Sequence, residues 1–425
     1  MKFFSVLLFT AAAMAQQYDL LLEGARVIDP RNNIDAVMDV AITGRNIAAV
    51  APNIGASKAK KTVSLRGLVL TPGLVDMHTH LFHTTGAKDA WAGDNSVDPD
   101  SFSFRTGVTT MVDAGSSGWR NFETFRHTVI DRVQTRVFAM INIAGLGMMT
   151  NAAEQVKSEF RPEEIIKLAA KHKDVVVGVK SAHYEAPDWT SVEKAIEAGA
   201  GAGVPIMVDF GYFQPQRPYY KLVTEKLRPG DISTHMYRAS VPYFDEKGKV
   251  YDYLKQARAR GVKFDVGHGA GSLVLRNAVP AVAQGFYPDT ISTDLHTLSM
   301  NGPLVDMATT MSKFLVMGMS LPDVILRSTW NPAQLIHHPE TGHISVGATA
   351  DIAVFKVMEG EFGYGDIAGG TITGRQRLNC ELTVRNGVIV WDFNQRAGRD
   401  YKQLPALYGI REGIDFIVRP PAPPR

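Results

Sequence analysis

The sequence predicts an α/β fold: a (β/α)8 TIM barrel carrying a small composite β-sandwich built from the N- and C-terminal segments. Three observations lead there. Strand-like and helix-like stretches alternate through the middle of the chain with a period of roughly 30 residues, the size of a βα unit. Short strands separated by turn residues fill both ends of the chain, a texture of small β units. A length of 425 residues exceeds one small core and suits a large barrel with an attached unit.

At the amino end, Met1-Lys2 precedes an apolar run from Phe3 to Ala15 that closes in Ala13-Met14-Ala15. A positive start, a short apolar core and an A-x-A ending read as a secretory signal peptide over residues 1–15, with an exported, periplasmic or secreted mature protein. Residues 16–68 form the first part of the sandwich, with strands around Asp19–Gly24, Ala25–Pro30, Val37–Gly44 and Ile47–Val50. Residues 69–344 form the barrel. Its strands are expected at Leu68–His80, Val108–Gly115, Arg136–Ile143, Val175–Lys180, Val204–Asp209, Asp231–His235, Lys263–His268 and Thr290–Asp294. Helical patterns lie between them, as at Arg161–Lys171 and Val250–Ala259. Residues 345–395 return to β texture and complete the sandwich; 396–425 form an extended tail rich in proline at its end.

Composition narrows the function. Lys plus Arg nearly balances Asp plus Glu, the formal net charge is +2, and no basic patch suggests nucleic acid. Beyond the signal peptide no stretch reaches the length of a membrane span. Cys380 is the only cysteine, so an intrachain disulfide and a cysteine-rich zinc cluster are both excluded. A small-molecule substrate is the expected partner, and homo-oligomerisation is left open.

The chemistry gathers at the strand ends. In Leu68–His80 strand alternation puts His78 and His80 on one side, with Thr79 turned away. Lys180, Asp209, His235, His268 and Asp294 close five further strands. In a barrel the carboxyl ends of the strands share one mouth. A lone buried Lys or Asp is more often a satisfied structural group, but so many ionisable groups on one face are costly to bury without a shared cation. The pattern therefore points to a metal centre. His83, His183, His337 and His338 have no partner readable from the sequence and are expected in surface or loop roles.

The motifs Pro72-Gly73-Leu74-Val75-Asp76-Met77-His78-Thr79-His80, Gly178-Val179-Lys180, Ser233-Thr234-His235, Asp265-Val266-Gly267-His268-Gly269, Ser292-Thr293-Asp294-Leu295-His296 and Thr329-Trp330-Asn331-Pro332-Ala333 resemble those of the amidohydrolase superfamily. The likeness is greatest to its dihydroorotase-like branch and to the amidohydrolase/deacetylase metallohydrolases within it. The resemblance implies two divalent metals, usually zinc. His78, His80 and Asp294 would hold one, His235 the second, and Lys180 would bridge them as a CO2-derived carbamate. Asp294 would also carry the proton of the attacking water, while His268 and His296 would contact substrate or support the site. Asp209 departs from the pattern, because the matching strand-five ligand is normally histidine; a carboxylate can still bind zinc, which leaves one metal or two. The implied activity is hydrolysis of an amide or an acetyl-type ester of a small organic acid. Ring opening of a cyclic amide or deamination is the alternative, and a non-catalytic relative with an impaired metal site is the rival outside catalysis.

Overall fold

The computed structural model describes residues 16–210 and 214–411. The expected signal peptide and residues 412–425 of the expected tail lie outside the described residues. Among the described residues two sheets organise the chain.

The first is an eight-stranded mixed sheet that joins the two ends of the sequence. It contains β1 (Tyr18–Asp29), β2 (Ile34–Thr43), β3 (Asn46–Ala51), β4 (Ala59–Ser64) and β5 (Val69–Pro72). From the carboxyl end come β13 (Ile352–Gly365), β14 (Thr371–Arg385) and β15 (Val388–Asp392). The two strands expected on either side of Gly24 are one strand, β1, whose register slips between Leu22 and Ala25. Its first half pairs with β4 and its second half with β5. β13 pairs with β5, Phe355 opposite Val69 and Ile352 opposite Pro72, so sequence-distant segments share one ladder. One face buries Leu22, Val27, Val40, Ile42, Leu70, Ile352, Val354 and Leu382 in a core of its own.

The second sheet is parallel and runs in chain order through β6 (Leu74–Thr79), β7 (Val108–Gly118), β8 (Arg136–Asn142), β9 (Val176–Ser181), β10 (Ile206–Val208), β11 (Ile232–Ser233) and β12 (Lys263–Phe264). Helices lie between the strands, including Pro162–Lys171, Thr190–Ala202, Asp252–Ala259 and Leu275–Ala283. β6 through β10 are buried at every position, apart from half-buried Arg136 at the start of β8. Such unbroken burial is the mark of a sheet covered on both faces. The expected eighth strand is present as bridges only: Asp265 pairs with Thr290 and Thr79 with Leu295. The segment between them hydrogen-bonds on both sides, Asp294 N–H donating to His78 O at 2.7 Å and Gly269 N–H to Thr293 O at 2.8 Å. Thus 290–295 links β12 back to β6.

The run expected as a single strand, Leu68–His80, breaks at Gly73 and serves both sheets. Val69–Pro72 completes the mixed sheet, and Leu74–Thr79 opens the parallel one. A Cβ at Gly73 would lie 2.2 Å from the Thr109 hydroxyl, so the crossing point accepts only glycine.

Lys313, on the helix Met307–Val316, is fully buried where the two units meet. It donates to Pro303 O at 2.6 Å, to Gly365 O of β13 at 2.8 Å, and to His268 Nε2 at 2.6 Å. Burial lowers its pKa to about 8, yet all three N–H donors are matched. Lys313→Ala should cost about 3 kcal/mol of stability, because three buried acceptors lose a charged donor. Urea unfolding checks this; an unchanged midpoint would show that the brace contributes nothing.

Candidate metal centre

The geometry starts from hydroxyl groups rather than from the histidines. Asp265, at the end of β12 and fully buried, accepts from Thr234 Oγ1 at 2.7 Å, Thr290 Oγ1 at 2.6 Å and Ser292 Oγ at 2.7 Å. A carboxylate only accepts, and its pKa is held below the ordinary value, so each hydroxyl spends its proton there. Thr234 Oγ1 must therefore accept from His78 Nδ1, 2.9 Å away. The proton sits on Nδ1, and the lone pair of His78 is on Nε2. His80 is built alike. Its Nδ1 lies 3.0 Å from Ser116 Oγ, and Ser116 N–H donates to the buried Asp113 at 2.8 Å.

Both Nε2 atoms face Asp294 Oδ1, His80 at 3.2 Å and His78 at 3.6 Å. Burial, with Lys180 close by, pushes the pKa of His78 down to about 3, so it offers a lone pair and no proton. Acceptor atoms facing one another are repulsive unless a cation lies among them. Ligands bound at about 2.0–2.1 Å in a tetrahedron stand about 3.3 Å apart, close to these separations. His78, His80 and Asp294 are all buried and their ligand atoms lie within 4.8 Å of one another. The three fit a divalent metal. Thr79 turns away, as alternation requires, and donates to Val112 O.

Residues 69–210 match the Amidohydrolase family. A curated deacetylase of Brucella anthropi is 32% identical over 84% of this chain and 87% of its own length. The chain belongs to the amidohydrolase family. Two solved structures also superpose. That of an adenine deaminase has a TM-score of 0.80 at 29% identity, covering 88% of this chain and 100% of the other. That of a dihydroorotase has a TM-score of 0.74 at 28% identity, covering 88% and 99%. Membership makes this a metal-dependent hydrolase of C–N bonds with a TIM-barrel fold.

Within this amidohydrolase the remaining predicted residues divide into two groups. Lys180, on β9, is fully buried; its Nζ reaches His78 Nε2 at 3.0 Å and the Met207 sulfur at 3.5 Å. No carboxylate hydrogen-bonds it among the described contacts, and burial lowers its pKa. On its other side Asp209 Oδ2 lies 3.1 Å from His235 Nε2, while Asp209 Oδ1 is paired with Arg238 at 3.1 Å. His235 Nδ1 donates to Gly267 O at 2.6 Å, which again directs Nε2 into the site. His268 stands apart. Its Nδ1 donates to Gly269 O and its Nε2 accepts from Lys313, so both ring nitrogens are spent on the scaffold. His296 packs edge-on to Trp91 at 4.4 Å between ring centroids, with Nε2 3.9 Å from Asp294 Oδ2.

His183 lies in a loop, as expected, but has partners there that the sequence did not show. Two residues beyond β9, it places Nδ1 2.8 Å from Glu154 Oε2 and Nε2 3.4 Å from Asp209 Oδ2. Burial disfavours its charged form, but the charges of Glu154 and Asp209 outweigh that and push its pKa up to about 10 in the metal-free protein. His183, His235 and Asp294 also share left-handed backbone, φ 46°, 57° and 51°, a strained state for such residues that gathers at functional sites. Gly269 explains part of the crowding: a Cβ there would lie 2.2 Å from Asp294 Oδ2.

A cavity of about 660 Å3 opens among Arg136, Phe138, Val175 and Arg385. It lies at the opposite ends of the strands and contains none of these ligands. No helix among the described residues is long and apolar enough to cross a membrane, and Cys380 is free and buried.

If the hydroxyl relays set the tautomers, Thr234→Val and Ser116→Ala should each weaken zinc binding about 10–100-fold, the usual cost of losing a ligand's hydrogen-bond partner. Competition with a chromophoric chelator measures it. Wild-type affinity in both variants would contradict the relay.

Proposed function

We propose that this amidohydrolase is an exported deacetylase that removes an acetyl-type group from an amide or ester of a small organic acid. The observation that carries the reading is the convergence of His78 Nε2, His80 Nε2 and Asp294 Oδ1 with their lone pairs facing inward. A curated relative alike over most of the chain is named a deacetylase, which supports the acyl substrate. Export rests on the sequence of residues 1–15 alone. The reading takes residues 69–344 as a complete (β/α)8 barrel, with 290–295 as its eighth strand. It takes 16–68 with 345–395 as the sandwich, and 396–425 as a tail.

Zinc is the proposed metal, held by His78, His80 and Asp294 in one position and by His235 and Asp209 in the other, with Lys180 between them as a carbamate. Lys180 suits that role because a buried ammonium without a carboxylate partner is costly, whereas a neutral amine can add CO2. Bound divalent metal supplies acidified water and polarisation of the substrate carbonyl. The chain's own residues do the rest. Thr234 and Ser116 hold the two imidazoles in one tautomer. Asp294 turns Oδ1 to the histidines and keeps Oδ2 for the proton, which it takes from the attacking water and returns to the leaving nitrogen or oxygen. His296 and Trp91 wall the mouth beside it and shield that proton from bulk water.

The likeness to the adenine deaminase and dihydroorotase structures supports a second reading, attack on a ring carbon or a cyclic amide by the same groups. Zinc-loaded protein assayed against N-acyl amino acids, O-acyl hydroxy acids, dihydroorotate and adenine separates the two. Turnover of an acyl acid is expected; turnover of a ring substrate alone would favour the second reading. Lys180→Ala should lose about 1000-fold or more in kcat/KM, with none restored by bicarbonate and metal. Undiminished turnover in that variant would sink the bridging role.

A further inference from the structure

Asp209 stands where the family pattern has an imidazole, and a carboxylate reaches less far. Its two oxygens are used differently. Oδ1 is held by Arg238 Nη1 at 3.1 Å, and the same guanidinium is anchored on Ser272 Oγ at 3.0 Å. Oδ2 faces two imidazoles, His235 Nε2 at 3.1 Å and His183 Nε2 at 3.4 Å.

We propose that His183 supplies the second metal position with the imidazole that Asp209 replaced, so that His183, His235 and Asp209 Oδ2 together bind the second ion. The proposal rests on the metal-dependent reading above. Four features of the molecule carry it. First, His183 is oriented like the other ligands. Its Nδ1 donates to a carboxylate, Glu154 Oε2, so the lone pair of the neutral ring is on Nε2 and faces Asp209. Second, Glu154 is itself buried and fixed, its Oε1 accepting from Asn142 Nδ2 at 2.9 Å, at the end of β8. A buried carboxylate that orients the ring of a ligating histidine is the usual outer support of a metal site. Third, the backbone is locked as well: Gln155 Nε2 donates to His183 O at 2.9 Å. This holds the residue at φ 46°, a strain it shares with His235 and Asp294. Fourth, Asp209 Oδ2 stands 3.1 Å from His235 Nε2 and 3.4 Å from His183 Nε2, each near the separation of about 3.3 Å between neighbouring ligands on a tetrahedral ion; the trio is less tightly grouped than His78, His80 and Asp294, so an ion would draw the two imidazoles together around this shared oxygen. The turn Ala153–Gln155 thus clamps one histidine at two points, and the substitution at Asp209 is offset from the loop after β9 rather than from β10.

Zinc itself is the probe, by equilibrium dialysis with metal content measured by mass spectrometry and folding checked by circular dichroism. Wild type should bind two equivalents. His183→Ala should keep one and bind the second at least about 100-fold more weakly, and Glu154→Gln should weaken that second zinc about 10–100-fold. His80→Ala should instead lose the other ion. Two zincs at wild-type affinity in His183→Ala would overturn the proposal while leaving the metal-dependent reading intact. One zinc in wild type, lost in His80→Ala, would overturn it too, since no second position would exist. No zinc in wild type would remove both. Should His183→Ala fail to fold, Glu154→Gln decides: unchanged affinity for the second zinc counts against the proposal.

Discussion

Everything in the site depends on where a few buried protons are not. Asp265 takes three hydroxyl hydrogens, Thr234 has none left for His78, and the ring must put its own proton on Nδ1. The same logic runs through Gly267 O to His235, since a carbonyl oxygen can only accept, while His80 Nδ1 rests against Ser116 Oγ. Two imidazoles are therefore fixed with Nε2 turned inward, His78 toward Lys180 and Asp294 and His235 toward Asp209. His78, His80 and Asp294 are grouped closely enough to share a divalent cation.

The fold serves that arrangement through one economical break. The run from Val69 to Thr79 crosses from the mixed sheet to the parallel sheet at Gly73, so the strand that carries His78 and His80 is tethered to the satellite unit. On the other side the satellite's β13 receives Lys313, which holds His268. The mixed sheet is thus no passenger: it grips the first strand and the seventh. The segment carrying Asp294 has little strand of its own. It is held by backbone bonds to His78 and Gly269 and by Asp76, which accepts from Thr293 N–H and its hydroxyl.

Much of this was legible in the sequence. Period-two alternation put His78 and His80 on one face, and repeated βα spacing brought Lys180, His235 and Asp294 to a common mouth. The pairing of the chain's two ends followed from their shared β texture. What escaped was set by three-dimensional contact. Ser116, Asp113, Thr234 and Asp265 are ordinary residues until their hydroxyl accounting is done, and only neighbouring strands reveal it. His183 gave no periodic signal because it lies beyond the strand, in left-handed backbone. The sole hint was its position three residues after Lys180. His268, which shared the strand-end pattern with the candidate ligands, points to the scaffold because the buried Lys313 claims it. The expected eighth strand, Thr290–Asp294, is represented by isolated bridges at Thr290 and Leu295 only, its pairing split between two neighbours.

The most direct measurement is anomalous diffraction at the zinc edge from crystals grown with zinc. The account predicts a peak bounded by His78 Nε2, His80 Nε2 and Asp294, and a second beside Asp209 Oδ2. Zinc bound elsewhere, with the inward-facing nitrogens of His78 and His80 hydrogen-bonded to water or protein instead, would contradict it.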